Sequence, residues 1–185
     1  MSGPDTSNST TPRDAAPSAW TLNPVHETER SLLLRLFELY LHDFSGMEHA
    51  DVDEAGLFQP PALPFVADHW DAPGRHAFLL RVGGKPAGFA LLRESSPIPG
   101  SAGRRYLSGF FVMRAYRRQG YGAAMARALF ARFPGPWQVL EVRANPRAQA
   151  FWRRVIGEAT GGNFTERWLN EREIVQEFEI GGERP

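Results

Sequence analysis

The sequence contains no cysteine, and this absence excludes several kinds of site at once. A chain without thiols forms no disulfide, offers no thiolate nucleophile and provides no ligands for a Cys-bound zinc or iron–sulfur centre. Any sulfur chemistry that the protein performs must therefore come from a bound small molecule. The five histidines show no metal-ligand spacing, so we expect no metal site either.

Neither sign of charge is in excess, because 21 acidic residues balance 21 basic residues in a chain of 185. The protein as a whole is therefore not attracted to nucleic acid or to an anionic membrane, and any basic site must be local. No apolar segment approaches the roughly 20 residues of a membrane span, and the N-terminus lacks the basic-then-apolar order of a secretion signal. The expected compartment is the cytoplasm.

The chain does contain enough apolar residues for one folded domain behind a polar N-terminal segment. Residues 1–18 are nearly all small or polar, and this composition predicts a disordered tail before a domain at 19–185. In that domain, alternating apolar residues predict strands and a 3.6-residue period predicts helices. Strands are predicted at 20–22, 76–82, 87–93, 105–113, 137–143, 164–169 and 174–180, and helices at 29–42, 65–70, 120–133 and 146–156.

The strongest chemical signal is the segment Arg-Arg-Gln-Gly-Tyr-Gly at 117–122, between an apolar strand and an amphipathic helix. The start of a helix exposes backbone N–H groups and a partial positive charge, and glycines let phosphate oxygens approach the backbone. Arg117, Arg118 and Gln119 add hydrogen-bond donors at the rim. The segment is not a P-loop, because no Gly-Lys-Ser/Thr follows, and it lacks the third glycine of the dinucleotide fingerprint. It therefore predicts a diphosphate site of another kind, the alternative being a plain turn with two solvated arginines.

A second block follows downstream, where the run LEVRAN at 140–145 precedes Ala148, Phe151, Trp152 and Gly157. Together the two blocks resemble the GCN5-related N-acetyltransferase (GNAT) superfamily, whose acetyl-CoA motif is Arg/Gln-x-x-Gly-x-Gly/Ala. The three defining positions of that motif are occupied by Arg117, Gly120 and Gly122. The resemblance covers roughly residues 19–180.

The resemblance implies an α/β fold with a central, mostly antiparallel mixed sheet of six to seven strands and about four flanking helices. The sheet is splayed between its fourth and fifth strands, where the pantetheine arm of the co-substrate acetyl-CoA would pair with residues 111–113 like an additional strand. The diphosphate would then lie on the N–H groups of residues 118–123. The cofactor-binding residues so implied are Phe111, Val112, Met113, Arg117, Arg118, Gln119, Gly120, Tyr121, Gly122, Ala123 and Asn145.

The resemblance implies few catalytic groups, because one usual residue is replaced. The backbone N–H of Val112 would polarise the thioester carbonyl, a role that needs no particular side chain. Glu141 is the candidate base, since strand alternation puts it on an otherwise apolar face, and a strand carboxylate paired with an arginine is the alternative. At the position of Trp152 the family often has a tyrosine that acts as the general acid. The indole of Trp152 cannot transfer a proton near neutral pH, and the tryptophan is more simply a packing residue. Asn145 has a second interpretation as a helix cap.

The activity implied is acetylation of a primary amine of a small molecule or peptide, by direct transfer from acetyl-CoA in a ternary complex. The alternative is a non-catalytic acyl-CoA-binding or sensor protein of the same fold. It stays open because the tyrosine is absent and Ser108-Gly109 stands where some relatives have a strand carboxylate. An amine acceptor is the expected partner, without nucleic acid or membrane, and a homodimer is compatible with either function.

Overall fold

A computed structural model describes residues 19–59 and 61–181, and the tail predicted at 1–18 lies outside them. Seven strands, four α-helices and two short 3-10 helices, at Glu27–Glu29 and Arg114–Tyr116, follow one another along the described chain. The strands are β1 (Trp20–Pro24), β2 (Arg75–Val82), β3 (Lys85–Arg93), β4 (Arg105–Val112), β5 (Gly135–Val142), β6 (Phe164–Trp168) and β7 (Glu173–Ile180). The helices are α1 (Arg30–Glu48), α2 (Ala62–Ala67), α3 (Tyr121–Arg132) and α4 (Pro146–Thr160).

The seven strands form one sheet in the order β1-β2-β3-β4-β5-β7-β6. Every neighbouring pair is antiparallel except β4 and β5, which are parallel. Those two strands pair over only three positions, from Arg105 opposite Trp137 to Leu107 opposite Val139. Beyond these positions they separate, so the predicted mixed sheet with a splay between its fourth and fifth strands is confirmed.

Alternation along the strands gives the sheet two apolar faces, and the helices cover both of them. Helices α3 and α4 pack on one face and helices α1 and α2 on the other. The face toward α3 and α4 includes Phe78, Leu80, Leu92, Trp137, Val139 and Phe178, and the face toward α1 and α2 includes Leu79, Phe89, Leu91 and Phe111.

Three helices differ from the sequence prediction at their ends. Helix α1 continues beyond the predicted end at 42 because no proline directly follows its apolar stripe and Gly46 is tolerated within it, and it ends where His49 adopts a left-handed conformation with φ of 51°. Helix α2 begins three residues before its predicted start, with Pro64 in the first turn, where proline is tolerated. Helix α4 runs to Thr160 rather than 156, and Gly161 (φ 64°) ends it.

A bulge in β4 sets the direction of the strand end that borders the splay. Leu91 lies opposite Gly109 and Leu92 lies opposite Leu107, which leaves Ser108 as the additional residue. The Ser108 hydroxyl lies 3.1 Å from the Leu91 carbonyl oxygen and 2.7 Å from Nε2 of the buried His69. These contacts hold the bulge against the segment that follows α2.

Among the described residues, none of the helices has the length and apolar character that a membrane span requires.

The strands β3 and β4 lie so close together next to the splay that no room is left for a side chain at Gly88. A Cβ added there would lie 2.1 Å from the Phe111 carbonyl oxygen, so the two strands would have to move apart. We expect Gly88→Ala to destabilise the protein by about 2–3 kcal/mol, measured by urea unfolding. The matched control is Gly46→Ala in α1, where a Cβ meets no atom within 4 Å and alanine should stabilise by about 0.5–1 kcal/mol. Equal effects of the two substitutions on stability would contradict the close approach of β3 and β4 at Gly88.

Candidate functional site

The gap between β4 and β5 presents a backbone donor. The Met113 amide donates to the Ala87 carbonyl on the β3 side at 2.8 Å. Because successive amides of a strand point to opposite edges, the N–H of Val112 points away from β3 and into the gap. The side chains of Phe111 and Met113 pack with the α1 and α2 core. The end of β4 therefore offers its backbone, rather than these two side chains, to a group lying between the strands.

Two residues with left-handed backbone conformations shape the connection from β4 to α3. Arg118 (φ 62°) and Gly120 (φ 87°) turn the chain so that α3 starts beside the gap. Among the described residues no side chain caps α3, and a helical bond runs from the Ala124 amide to the Gly120 carbonyl at 3.0 Å. The amides of Gly122 and Ala123 precede that bond and lie at the helix start, where they have no acceptor within the helix. This open helix start suits an anion.

The start of α3 lies against both β4 and α4. A Cβ added to Gly122 would lie 3.4 Å from the ring of Phe151 on α4 and 3.7 Å from the side chain of Val112. The fold therefore brings together the predicted diphosphate segment, the end of β4 and the second sequence block. Arg118 and Gln119 are exposed at the rim, and the Gln119 side chain donates to a carbonyl of the preceding turn at 2.8 Å.

Arg117 is bound to the end of α1 and does not extend freely over the helix start. Its guanidinium donates to the Val112 carbonyl at 2.6 Å and to Asp43, which also accepts from Arg114 at 2.9 Å. Burial alone would raise the pKa of Asp43, but the hydrogen bonds from both arginines outweigh it and hold that pKa below its usual value. Sequence reasoning missed this contact, because Asp43 precedes its partners by 71 and 74 residues and no local pattern connects them.

The turn from β5 into α4 is closed by two amide side chains. Asn145 caps α4, with its side-chain oxygen accepting from the Ala148 amide at 3.1 Å. Gln149 donates to the carbonyls of Val142 and Arg143 at 3.1 and 3.2 Å. The helix-cap interpretation of Asn145 is thus present in the structure, and the cap uses only its side-chain oxygen, so it does not exclude donation by the side-chain nitrogen to a pantetheine arm. The sequence pattern did not identify Gln149.

Trp152 packs beside the gap. Its ring lies 4.8 Å from that of Phe110 on β4 and 5.0 Å from that of Phe151, centroid to centroid, in edge-on contacts. The side chain is 5% exposed, so it belongs to the core between α4 and the sheet. Such an environment suits an apolar ring and supplies no acid.

Glu141 is buried on the face of the sheet that α4 covers. It is 4% exposed, and within the described residues neither carboxyl oxygen has a hydrogen-bond donor. Loss of solvation and the nearby charge of Glu166 raise the pKa of Glu141 to about 8, with a smaller opposing effect from Arg153. The carboxyl group can therefore gain and lose a proton near physiological pH, as a general base must. It is not directly paired with an arginine, which was the alternative interpretation of this position.

A cavity of about 440 Å³ opens at the end of β5 on the side of α1. All but one of its lining residues have polar side chains, with three carboxylates against one guanidinium. The lining residues are Glu48, Val142, Asn170, Glu171, Arg172 and Glu173. No group of three or more metal-ligating side chains occurs in the parts of the chain that the structure describes.

Comparison with known proteins gives one consistent result. Residues 33–157 match the profile described as "Acetyltransferase (GNAT) family". No curated protein sequence matches the chain. Among solved structures, an acetyltransferase from Thermus thermophilus superposes with a TM-score of 0.64 at 21% identity, covering 87% of this chain and 97% of that one.

Two further structures are similar at lower identity and support the fold. The ribosomal-protein-S18-alanine N-acetyltransferase from Escherichia coli has a TM-score of 0.58 at 17% identity, covering 90% of this chain and 99% of its own. A ribosomal L7/L12 α-N-protein acetyltransferase, solved in complex with coenzyme A, has a TM-score of 0.60 at 14% identity, covering 87% and 94%.

The raised pKa of Glu141 predicts a specific dependence of stability on pH. Glu141 binds its proton more tightly in the folded chain than in the unfolded chain, where its pKa is 4.5. The stabilising contribution of this proton uptake to the free energy of unfolding is therefore fully present below pH 4.5 and is lost as the pH rises toward about 8. We expect the free energy of unfolding of the wild type, relative to that of Glu141→Gln, to fall between about pH 5 and 8.

Urea unfolding of both proteins across this range measures the difference. His69 also contributes to the pH dependence, because burial lowers its pKa from 6.5 to about 4 in the folded chain, but it does so in both proteins and therefore cancels in the comparison. Parallel curves for the wild type and Glu141→Gln would show that Glu141 has an ordinary pKa.

Proposed function

Because the chain belongs to the GNAT acetyltransferase family, we propose that it transfers an acetyl group from acetyl-CoA to a primary amine of a small molecule or peptide. The observation that carries this proposal is the gap between β4 and β5, which ends at the uncapped start of α3. We further propose that residues 19–185 form a single acetyltransferase domain. The proposal has three parts, which concern the cofactor, the chemistry and the acceptor.

The diphosphate of acetyl-CoA is proposed to lie at the start of α3, within residues 118–123. The amides of Gly122 and Ala123 supply donors there, the partial positive charge of the helix end adds attraction, and Arg118 is exposed beside them. Arg117 contributes by holding the strand end, since its side chain is bound to Asp43. The pantetheine arm would then follow the backbone of residues 111–113 through the gap.

The chemical step is proposed as a direct attack of the amine on the thioester. The amine nitrogen forms a bond to the carbonyl carbon, and the N–H of Val112 stabilises the negative charge that develops on the carbonyl oxygen. Glu141 accepts the proton that the nitrogen loses. The carbon–sulfur bond then breaks, and the CoA thiolate leaves with the bonding electrons. Protonation of this thiolate is not assigned to Trp152, which is buried among aromatic rings.

The acceptor is proposed to be collected by the acid-lined cavity at the end of β5, on the α1 side of the sheet, and its amine must pass the end of β5 to reach Glu141 on the α4 side. Its carboxylates, among them Glu48 and Glu171, attract a protonated amine, and the cavity borders the β5 side of the gap through Val142. The structural neighbours include proteins whose names state that they acetylate ribosomal proteins. A cationic small amine or a peptide N-terminus both fit this charge.

A sensor that binds acyl-CoA without turnover is the second candidate. It is favoured by one observation: Trp152 packs in the core at a position where the family often has a tyrosine that acts as the general acid. Turnover with an amine separates the two candidates directly.

Replacement of Arg118 by glutamate tests the cofactor site. Arg118→Glu exchanges an exposed positive charge at the helix start for a negative one, and we expect it to weaken acetyl-CoA binding by about 10- to 100-fold in a calorimetric titration. Gly120→Glu would test the same place, but the positive φ of Gly120 adds backbone strain. Arg35→Glu on the exposed side of α1 makes the same change in net charge away from the site and serves as the control. Equal affinities of the two variants would place the cofactor elsewhere.

Replacement of Glu141 by glutamine tests the chemical step. Glu141→Gln keeps the shape of the side chain but cannot accept the proton, so we expect kcat to fall by about 100-fold or more with unchanged affinity for acetyl-CoA. The measurement is amine-dependent release of CoA thiol with a panel of diamines, peptides and amino acids, of which the diamines should react best. Wild-type turnover that persists in Glu141→Gln would remove Glu141 as the base. Binding of acetyl-CoA without turnover for any amine would favour the sensor.

A further inference from the structure

Three buried oxygen atoms beneath α4 have no hydrogen-bond donor within the described residues. They are both carboxyl oxygens of Glu141 and the side-chain oxygen of Gln176. Glu141 is 4% exposed and Gln176 is fully buried. Buried acceptors without donors are costly and uncommon. Of the three atoms, those of the Glu141 carboxyl group can meet this need, because that group becomes a donor when it takes up a proton whereas an amide oxygen only accepts.

The strand pairing places the two side chains next to each other. Glu141 lies opposite Ile174 on β7, and Gln176 lies opposite Val139 on β5. Since residues two apart on a strand share a face, Glu141 and Gln176 are diagonal neighbours on the face covered by α4, within reach of long side chains.

A chain of contacts fixes the orientation of the Gln176 amide. Arg153 on α4 binds both carboxylate oxygens of Glu166 on β6, each at 2.8 Å. Glu166 in turn accepts from the side-chain nitrogen of Gln176 at 2.7 Å. Because β7 lies between β6 and β5, the oxygen of the same amide then lies on the side of β5. The reverse orientation would place that oxygen against the Glu166 carboxylate, which repels it.

The oriented amide favours one protonation state of its neighbour. An amide oxygen repels a carboxylate but accepts a hydrogen bond from a protonated carboxyl group, which stabilises the neutral form. The charged groups that act on Glu141 are Glu166 from β6 and Arg153 from α4. They have opposite signs and are paired with each other, and the effect of Glu166, which raises the pKa of Glu141, is the larger of the two. The dipole of the Gln176 amide adds to the effect of Glu166 in favouring the protonated carboxyl group.

We propose that Gln176, oriented by Glu166 and Arg153, is a positioning residue that holds the proton on Glu141 and so confines its action as a base to alkaline pH. Amine acceptors are also increasingly neutral in that range, so base and nucleophile become competent together. The inference rests on the proposed function only for the role of Glu141 as a base. The protonation of Glu141 itself needs no cofactor and no acceptor.

Titration of the Glu141 carboxyl group by carbon NMR tests the inference without any turnover. The cofactor-free protein is labelled at the glutamate carboxyl carbons, and the Glu141 signal is assigned by its loss in Glu141→Gln. Gln176→Met removes the amide at similar volume, and we expect the midpoint of the Glu141 titration to fall by about one pH unit or more. The matched control is Gln138→Met, which makes the same change at a buried position whose side chain binds Ser101 and Glu177.

A midpoint that stays unchanged or rises in Gln176→Met would overturn the inference, because burial and the charge of Glu166 would then hold the proton without the amide. If Gln176→Met does not fold, Gln176→Leu provides the second variant. It also removes the amide while leaving the charge of Glu166 in place, and the midpoint should again fall. An unchanged midpoint in Gln176→Leu would equally overturn the inference.

The pH dependence of kcat/KM separates this inference from the proposed function. We expect its lower inflection to move with the NMR midpoint in Gln176→Met. An NMR midpoint that moves while the rate profile does not would support the positioning role and contradict Glu141 as the base. Absence of amine-dependent turnover in the wild type would contradict the proposed function, and the NMR titration would still decide the inference.

Discussion

The separation of β4 from β5 is the constraint on which the rest of the structure depends. Backbone groups inside a sheet normally pair with the neighbouring strand, but these two strands pair only from 105 to 107 and from 137 to 139. Each side of the gap is held from outside. Asp43 binds the strand end after β4 through Arg114 and Arg117, and Gln149 binds the carbonyls at the end of β5. The gap is therefore a preformed feature that an extended ligand can fill.

The proposed diphosphate site and the proposed base differ in the source of their electrostatic effects. At the start of α3 the favourable potential comes from backbone amides and from exposed Arg118, so it acts on an anion near solvent. Beneath α4 Glu141 is buried, and loss of solvation together with the charge of Glu166 raises its pKa to about 8. The first arrangement suits the binding of a diphosphate, and the second suits the transfer of a proton.

The fold was largely predictable because its signals are local. Strand alternation and the turn at Gly83 and Gly84 indicated the strands and the hairpin of β2 and β3. The splay followed only from the family that the two sequence blocks resemble, and the family match confirms that assignment. Helix ends were less predictable where no stop signal occurs, as in α1 beyond residue 42. The contact of Asp43 with Arg117 and the surroundings of Glu141 could not be predicted, since they join residues distant in sequence. Alternation alone showed that Glu141 faces inward, but not that its oxygens lack donors.

Amide chemical shifts during a titration with acetyl-CoA test the central claim most directly, because they report on the backbone groups proposed to bind it. The largest changes should occur at Val112 and within 118–123, with little change at the amides of β1 and β2 away from the gap. Saturating acetyl-CoA that leaves Val112, Gly122 and Ala123 unchanged would contradict cofactor binding in the gap between β4 and β5.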